Sequence, residues 1–257
     1  MSLRIGIAGI TGRMGRLLAE EIPAAGAVLS GGTSRDPAAL PVGGATRFAD
    51  LGALADASDV VVDFTHAATA REHAAILSRH RAAWVLGSSG LSAADETAVA
   101  AAAGAIPVVY AANFSPGVNL VLALAERMAA ALPGDQYDAE IVEMHHRQKM
   151  DAPSGTAIGI GRAVASGRGV ALDAVMESGR HGHTGPRKPG AIGFAALRGG
   201  QIVGEHTLIF AAGTEQIALT HRAFDRRAFA AGAVRAALWV VGKPARLYDM
   251  ADVLGMR

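Results

Sequence analysis

Cysteine is absent from the 257 residues, which excludes disulfides, thiolate metal sites and a thiol nucleophile. An excess of one charge is lacking too. Lys and Arg number 24 against 23 Asp and Glu, a formal net charge of +1, so nothing global draws the chain to nucleic acid or an acidic membrane. No apolar run approaches the ~20 residues that span a bilayer. The opening Met-Ser-Leu-Arg-Ile-Gly-Ile-Ala-Gly lacks the layout of a signal peptide, and there is no internal repeat or low-complexity linker. The expected location is the cytoplasm, with neither nucleic acid nor membrane as partner. Any affinity for anions must be local. Apolar residues are plentiful at 51%, enough to fill the core of one large domain or two small ones.

The first half alternates apolar runs with helical patterns. Residues 3–8 form a run of buried-strand type and end in Gly9-Ile10-Thr11-Gly12-Arg13-Met14-Gly15; residues 16–22 continue as a helix. Strand, glycine turn and helix is the setting of a dinucleotide fingerprint. Gly9 serves the tight turn, Gly12 the approach of a pyrophosphate, and Gly15 the packing of helix on strand. The spacing is G-x-x-G-x-x-G, a looser relative of the usual form, and glycine-rich turns without a ligand also exist. Residues 27–31 read as the second strand, followed by Ser34 and Arg35 where an acid would hold a ribose 2′-OH. A hydroxyl and a guanidinium suit a 2′-phosphate, and a plain loop is the alternative. Further strands over 59–65, 83–86 and 106–110 alternate with helices over 69–78 and 95–103, as in a doubly wound Rossmann-type parallel sheet. Gly87, Ser88 and Ser89, and Ala111, Ala112, Asn113 and Phe114, follow strand C-terminal ends, where such sheets bind ligands; they are candidates to flank a nicotinamide.

The pattern then changes. A long helix over 116–132 breaks at Pro133-Gly134-Asp135. Strands over 137–144, 193–197, 204–210 and 216–220, with a helix over 155–165, predict a smaller α+β domain with a mostly antiparallel sheet. An amphipathic helix over 225–241 returns to the first domain. The expected division is 1–114 with 225–257 for the dinucleotide, and 115–224 for substrate and oligomerisation.

At the centre of the second half stand His145, His146, Arg147 and Lys149, which place two to four positive charges in five positions according to pH. Mutual repulsion would lower their pKa values and favour proton exchange near neutrality. Pro153 suits the first turn of a helix, and Ser154, Gly155 and Thr156 would then offer backbone N–H groups and hydroxyls to a small anion such as a carboxylate. A solvated basic turn before an ordinary helix is the bland alternative. Residues 178–190 hold turn formers, two histidines and three cations, and read as a mobile loop, either a connector or a lid. His181 and His183 have no ligand partner at standard spacing, so no metal is expected.

Together these segments resemble one family. Gly9-x-x-Gly12-Arg13-Met14-Gly15, Val62-Asp63-Phe64-Thr65, Ala111-Ala112-Asn113-Phe114-Ser115 and, above all, Glu143-x-His145-His146-x-x-Lys149-x-Asp151-Ala152-Pro153-Ser154-Gly155-Thr156-Ala157 are similar to 4-hydroxy-tetrahydrodipicolinate (dihydrodipicolinate) reductases. Gly182-His183-Thr184-Gly185, Ile192-Gly193-Phe194 and Gly204-Glu205-His206-Thr207 resemble later blocks of that family, so the likeness spans essentially the whole chain. It implies a homotetrameric, NAD(P)H-dependent enzyme of lysine biosynthesis by the diaminopimelate route. Its substrate would be a small dicarboxylate, the cyclic imine made from aspartate semialdehyde and pyruvate. By the family's pattern His145 is proton donor and acceptor, Lys149 a proton donor, and His146, Gly155 and Thr156 contact substrate carboxylates. Gly9, Ile10, Thr11, Gly12, Arg13, Met14, Arg35, Gly87–Ser89 and Ala111–Phe114 take the cofactor positions. Some relatives carry an acid where this chain has Ser34; here both cofactors are expected to work, with NADPH modestly favoured. A semialdehyde dehydrogenase is the rival enzyme, disfavoured by the missing cysteine. A nucleotide sensor is the non-catalytic rival, and it would not need His145 and Lys149 together.

Overall fold

Short β-branched runs without polar interruption bury both faces of a strand, and the first half of the chain supplies them at regular intervals. The computed structural model describes residues 2–36 and 42–256. In chain order it begins with β1 (Arg4–Ala8), α1 (Arg13–Ala24), β2 (Val28–Gly32), α2 (Leu51–Asp56), β3 (Val60–Asp63) and α3 (Ala70–His80). Then come β4 (Ala83–Leu86), α4 (Ala93–Ala103), β5 (Val108–Tyr110) and α5 (Pro116–Ala131). The second half adds β6 (Asp138–His145), α6 (Gly155–Gly167), α7 (Leu172–Val175), β7 (Met176–Ser178), β8 (Ile192–Arg198), β9 (Gly204–Ala211) and β10 (Gln216–Ala223). The chain closes with α8 (Arg227–Val240), β11 (Leu247–Tyr248) and α9 (Met250–Leu254).

Two compact units result: Met1–Pro116 with Arg226–Arg257, and Gly117–Asp225. In the first, the strands lie in the order β11-β5-β4-β3-β1-β2, with every pairing among the described residues parallel. Helices cover both faces. Leu18 and Ile22 of α1, Ala233 and Val234 of α8 and Val253 of α9 pack with Ile5, Val62 and Val85 on one side. Leu54 of α2, Leu77 of α3 and Val99 of α4 pack with Val61, Trp84 and Leu86 on the other. This is the doubly wound arrangement, which puts strand C-terminal ends and their loops along one edge. Helix α1 starts at Arg13, three residues before the expected start, and keeps Pro23 in its last turn.

The second unit is built on a mixed sheet in the order β10-β9-β6-β8-β7. β10, β9 and β6 are antiparallel neighbours; β8 and β7 lie parallel, reached from β6 through α6 and α7. Burial along β6 and β9 alternates strictly, so one face takes the core and the other does not. Val121, Ala125 and Ala129 of α5, spaced by one helical turn, and Ile160 and Val164 of α6 cover that face against Ile141, Phe194, Leu208 and Phe210. Each such large side chain contributes about 1.5–3 kcal/mol of burial. Register then does the work of placement: His145 of β6 lies opposite Arg198 of β8, and Glu143 lies opposite His206 of β9.

Candidate active site

In the first unit the turn between β1 and α1 is closed by a hydrogen bond from the Gly12 amide to the Gly9 carbonyl, 3.0 Å, with Gly9 at φ +76°. A Cβ on Gly15 would stand 2.3 Å from the same carbonyl oxygen, so the helix approaches the turn this closely only with glycine there. Gly12 is the extended N-cap of α1; among the described residues no side chain caps it, and the first turn carries no acid. Amides at the positive end of a helix, uncapped and unopposed by negative charge, fit a pyrophosphate. Arg13 is exposed beside them and Met14 half-buried. Ile10 is different: its side chain belongs to the core, and its amide donates to the Thr33 carbonyl.

Past β2, the hydroxyls of Thr11 and Ser34 lie 2.9 Å apart, and the Asp36 amide donates to Ser34 Oγ. Arg35 is exposed at the same loop. Beyond β4, Ser89 is exposed, whereas Ser88 is buried with its hydroxyl donating to the Thr65 carbonyl at 2.8 Å. Gly87 is half-buried between these and the strand. Beyond β5, Ala111 is half-buried, Ala112 is exposed, and Asn113 accepts the Ser115 amide. Phe114 is in the core with its ring edge-on to Phe64, 5.5 Å between centroids. Asp63 and Thr65 stood out in the sequence as part of a motif, but the bonds they make and the part of His73 did not. Asp63, fully buried at the end of β3, accepts from the Thr65 amide (2.9 Å) and hydroxyl and faces His73 Nδ1 at 2.7 Å.

In the second unit the last residues of β6 build a buried network of ionisable side chains. Glu143 is 1% exposed, and each carboxylate oxygen has two partners. Oε2 takes His145 Nδ1 at 2.6 Å and Arg198 Nη1 at 2.8 Å. Oε1 takes Arg198 Nη2 at 2.7 Å and the Ser154 amide at 3.1 Å. Burial pushes the Glu143 carboxyl up, but the bonds from Arg198 and His145 outweigh it and hold it below the usual carboxylate range. An ionised carboxylate only accepts, so the proton on neutral His145 sits on Nδ1 and Nε2 is left to exchange protons.

Burial is also the main reason that His145 titrates below an ordinary histidine; Glu143 opposes it, and Lys149 and Arg198 assist. The expected repulsion inside the basic cluster is therefore a contributor, not the leading cause. After His145 the chain turns: the Lys149 amide bonds to the His146 carbonyl, and the His146 amide to that of Ile202. Lys149 Nζ reaches Asp151, 2.8 and 2.9 Å to its two oxygens, and this bond holds Asp151 below the usual carboxylate range. His146 is half-buried, and its Nδ1 lacks a partner among the described residues. Arg147 is exposed and stands outside the network.

Pro153 lies before the N-cap of α6 rather than in its first turn, because Ser154 is the cap and accepts from the Ala157 amide at 3.2 Å. The Ser154 amide is spent on Glu143, which leaves the exposed Gly155 and half-buried Thr156 to head the helix. Ser154 Oγ also meets His206 Nε2 at 3.0 Å, and the His206 ring lies edge-on to His145, 5.1 Å between centroids. Burial, helped by nearby His145, pushes His206 down to about 4.

The three cations of 178–190 are not held in reserve for an anion. Arg180 and Arg187 are bonded to Glu140, Arg187 also to Asp138, and Lys188 lies 3.7 Å from Glu177. Among the described residues no cluster of three or more His, Asp or Glu is arranged to hold a metal, His181 and His183 included. No helix among them is long and apolar enough to cross a membrane.

Comparison with known proteins agrees along the whole chain. Residues 3–114 match the family model "Dihydrodipicolinate reductase, N-terminus", and residues 117–254 match "Dihydrodipicolinate reductase, C-terminus". The 4-hydroxy-tetrahydrodipicolinate reductase of Granulibacter bethesdensis is 70% identical over 257 residues, covering 100% of this chain and 98% of that protein. The enzyme of the same name from Gluconacetobacter diazotrophicus is 66% identical over 254 residues, covering 99% and 98%. In fold, the chain is similar to a dipicolinate-bound dihydrodipicolinate reductase from Paenisporosarcina sp. TG-14, with a TM-score of 0.81, 22% identity, and 98% and 99% coverage. With both halves matched and relatives this similar, the chain belongs to the dihydrodipicolinate reductase family.

Proposed function

We infer that this chain reduces 4-hydroxy-tetrahydrodipicolinate to tetrahydrodipicolinate with a nicotinamide cofactor, in lysine biosynthesis by the diaminopimelate route. One observation carries the assignment of residues. A buried histidine, oriented by an ionised carboxylate, shares a short stretch of chain with a lysine and a helix N-terminus. Such a set handles a proton next to a bound carboxylate.

His145 is the proton donor and acceptor, acting through Nε2, and Lys149 is the second donor. His146 and the α6 N-terminus at Gly155 and Thr156 bind the carboxylates of the small dicarboxylate. The open N-terminus of α1 holds the pyrophosphate, with Gly9, Ile10, Thr11, Gly12, Arg13 and Met14 as the cradle. Gly87, Ser88, Ser89, Ala111, Ala112, Asn113 and Phe114 form the rim for the nicotinamide; Ser88 and Phe114 serve by shaping its backbone. When bound, the cofactor supplies the hydride chemistry. Exposed Arg35 pairs with a 2′-phosphate, so NADPH is favoured modestly over NADH.

The uncovered face of the second sheet, with half-buried Val142, Met144 and Ile209 on it, supports association of copies into a homotetramer. In this reading the enzyme works in the cytoplasm.

The decisive experiment follows NAD(P)H oxidation with freshly generated imine. Turnover is expected with the unaltered enzyme, and Lys149→Ala should lower kcat by roughly 10²–10⁴ without unfolding the protein. Near-normal turnover in that variant would remove Lys149 from the mechanism.

A further inference from the structure

We propose that Arg198 is a positioning residue that sets the two proton-handling side chains together, His145 through Glu143 and Lys149 through Asp151. The proposal rests on the reading of His145 and Lys149 given above. Its basis is geometric. Both arms of the guanidinium engage Glu143, at 2.8 and 2.7 Å, which fixes the plane of the carboxylate that orients His145. Nη2 also donates to the Asp151 carbonyl at 2.6 Å, and the Asp151 side chain holds Lys149 Nζ. Nη1 donates back to the Leu197 carbonyl at 2.7 Å, which anchors the fork on β8 itself. One planar group thus ties β8, β6 and the turn after β6.

The groups facing His145 are few. Glu143 lies on its own strand, Arg198 on β8, His206 on β9, and Lys149 in the turn, where Asp151 holds its Nζ. Without the fork, Glu143 would be anchored only by the Ser154 amide, and its carboxylate could rotate away from the His145 ring. A rotated carboxylate no longer demands a proton on Nδ1, so the ring is free to present the wrong nitrogen. A lysine keeps the charge but cannot make two parallel bonds to one carboxylate. Neighbouring charge acts in the same sense, since Arg198 adds to the causes that lower His145.

The test records ¹⁵N-histidine NMR titrations of the full enzyme without substrate, alongside steady-state kinetics, for the parent, Arg198→Met and Arg198→Lys. Losing the positive neighbour in Arg198→Met should raise the His145 midpoint and admit the second tautomer. Its kcat should fall by about 30-fold or more, with KM changed less than about threefold. Should Arg198→Met fail to fold, Arg198→Lys decides. That variant should keep the midpoint near the parent value, admit the second tautomer, and lose about tenfold in kcat. A parental tautomer and undiminished kcat in Arg198→Lys would overturn the proposal, as would an unmoved midpoint and tautomer in folded Arg198→Met. The nitrogen signals need no substrate. They judge the positioning role even if turnover is lost, whereas an unaltered enzyme without turnover would refute the reductase reading alone.

Discussion

Mild acid should weaken the second unit through a single imidazole. His206 is 4% exposed, and its Nε2 meets Ser154 Oγ at 3.0 Å. That oxygen also accepts the Ala157 amide as helix cap, and His206 Nδ1 is buried with no partner among the described residues, so a second ring proton would find no acceptor there. A charged ring would be buried near His145 and Lys149. The pKa accordingly falls from 6.5 to about 4 in the folded protein. Between those values the unfolded chain binds more protons than the folded one, so stability is full above 6.5, declines as pH drops, and levels off below about 4. The limiting loss is about 3 kcal/mol, and at about pH 5 it is already about 2 kcal/mol. Urea unfolding of the parent and of His206→Gln at about pH 7.5 and about pH 5 isolates this site, because other titrating groups are common to both. The parent should lose about 2 kcal/mol more than the variant over that interval. Equal losses would refute the reasoning, since His206 would then titrate alike in both states.

Two further outcomes follow from exposed features. The NADPH preference, measured as kcat/KM against NADH, should be several-fold, because an exposed charge pair contributes about 1 kcal/mol or less. It should shrink with added salt and in Arg35→Ala; a strong NADH preference unchanged by either would show that Arg35 does not read the ribose. Light scattering at micromolar concentration should give the mass of four chains, and a monomer would refute assembly through the uncovered sheet face.

The parts of the fold that could be read in the sequence were those with long or punctuated patterns. The run into Gly9 and the amphipathic stretch of α8 both declare themselves, one by its glycines and the other by a period sustained over four turns. β11 has two residues and β7 three, too few to show any period, and neither was expected. The site divides in the same way. His145 and Lys149 lie four residues apart and were legible as a motif. Arg198 meets Glu143 across 55 positions and enters only through the pairing of β6 with β8. Asp63 and His73 belong to this second kind, being ten apart and joined by the packing of α3 beside β3. Burial was the other hidden quantity. Charge spacing is visible in a string of letters, but the desolvation that dominates His145 and His206 depends on which strands and helices cover them.

The return of the chain to its starting sheet has a consequence for biosynthesis on the ribosome. The first core needs Ala233, Val234, Tyr248 and Val253, all made after residue 225, and its sheet lacks the β11 edge until residue 248. The second unit, by contrast, is contiguous from Gly117 to Asp225. Nascent chains therefore hold every residue of the second unit while the N-terminal sheet still waits for its helix and edge strand. For that interval β5 is an open parallel edge, the kind of surface that chaperones cover and that neighbouring chains on a polysome can pair with wrongly.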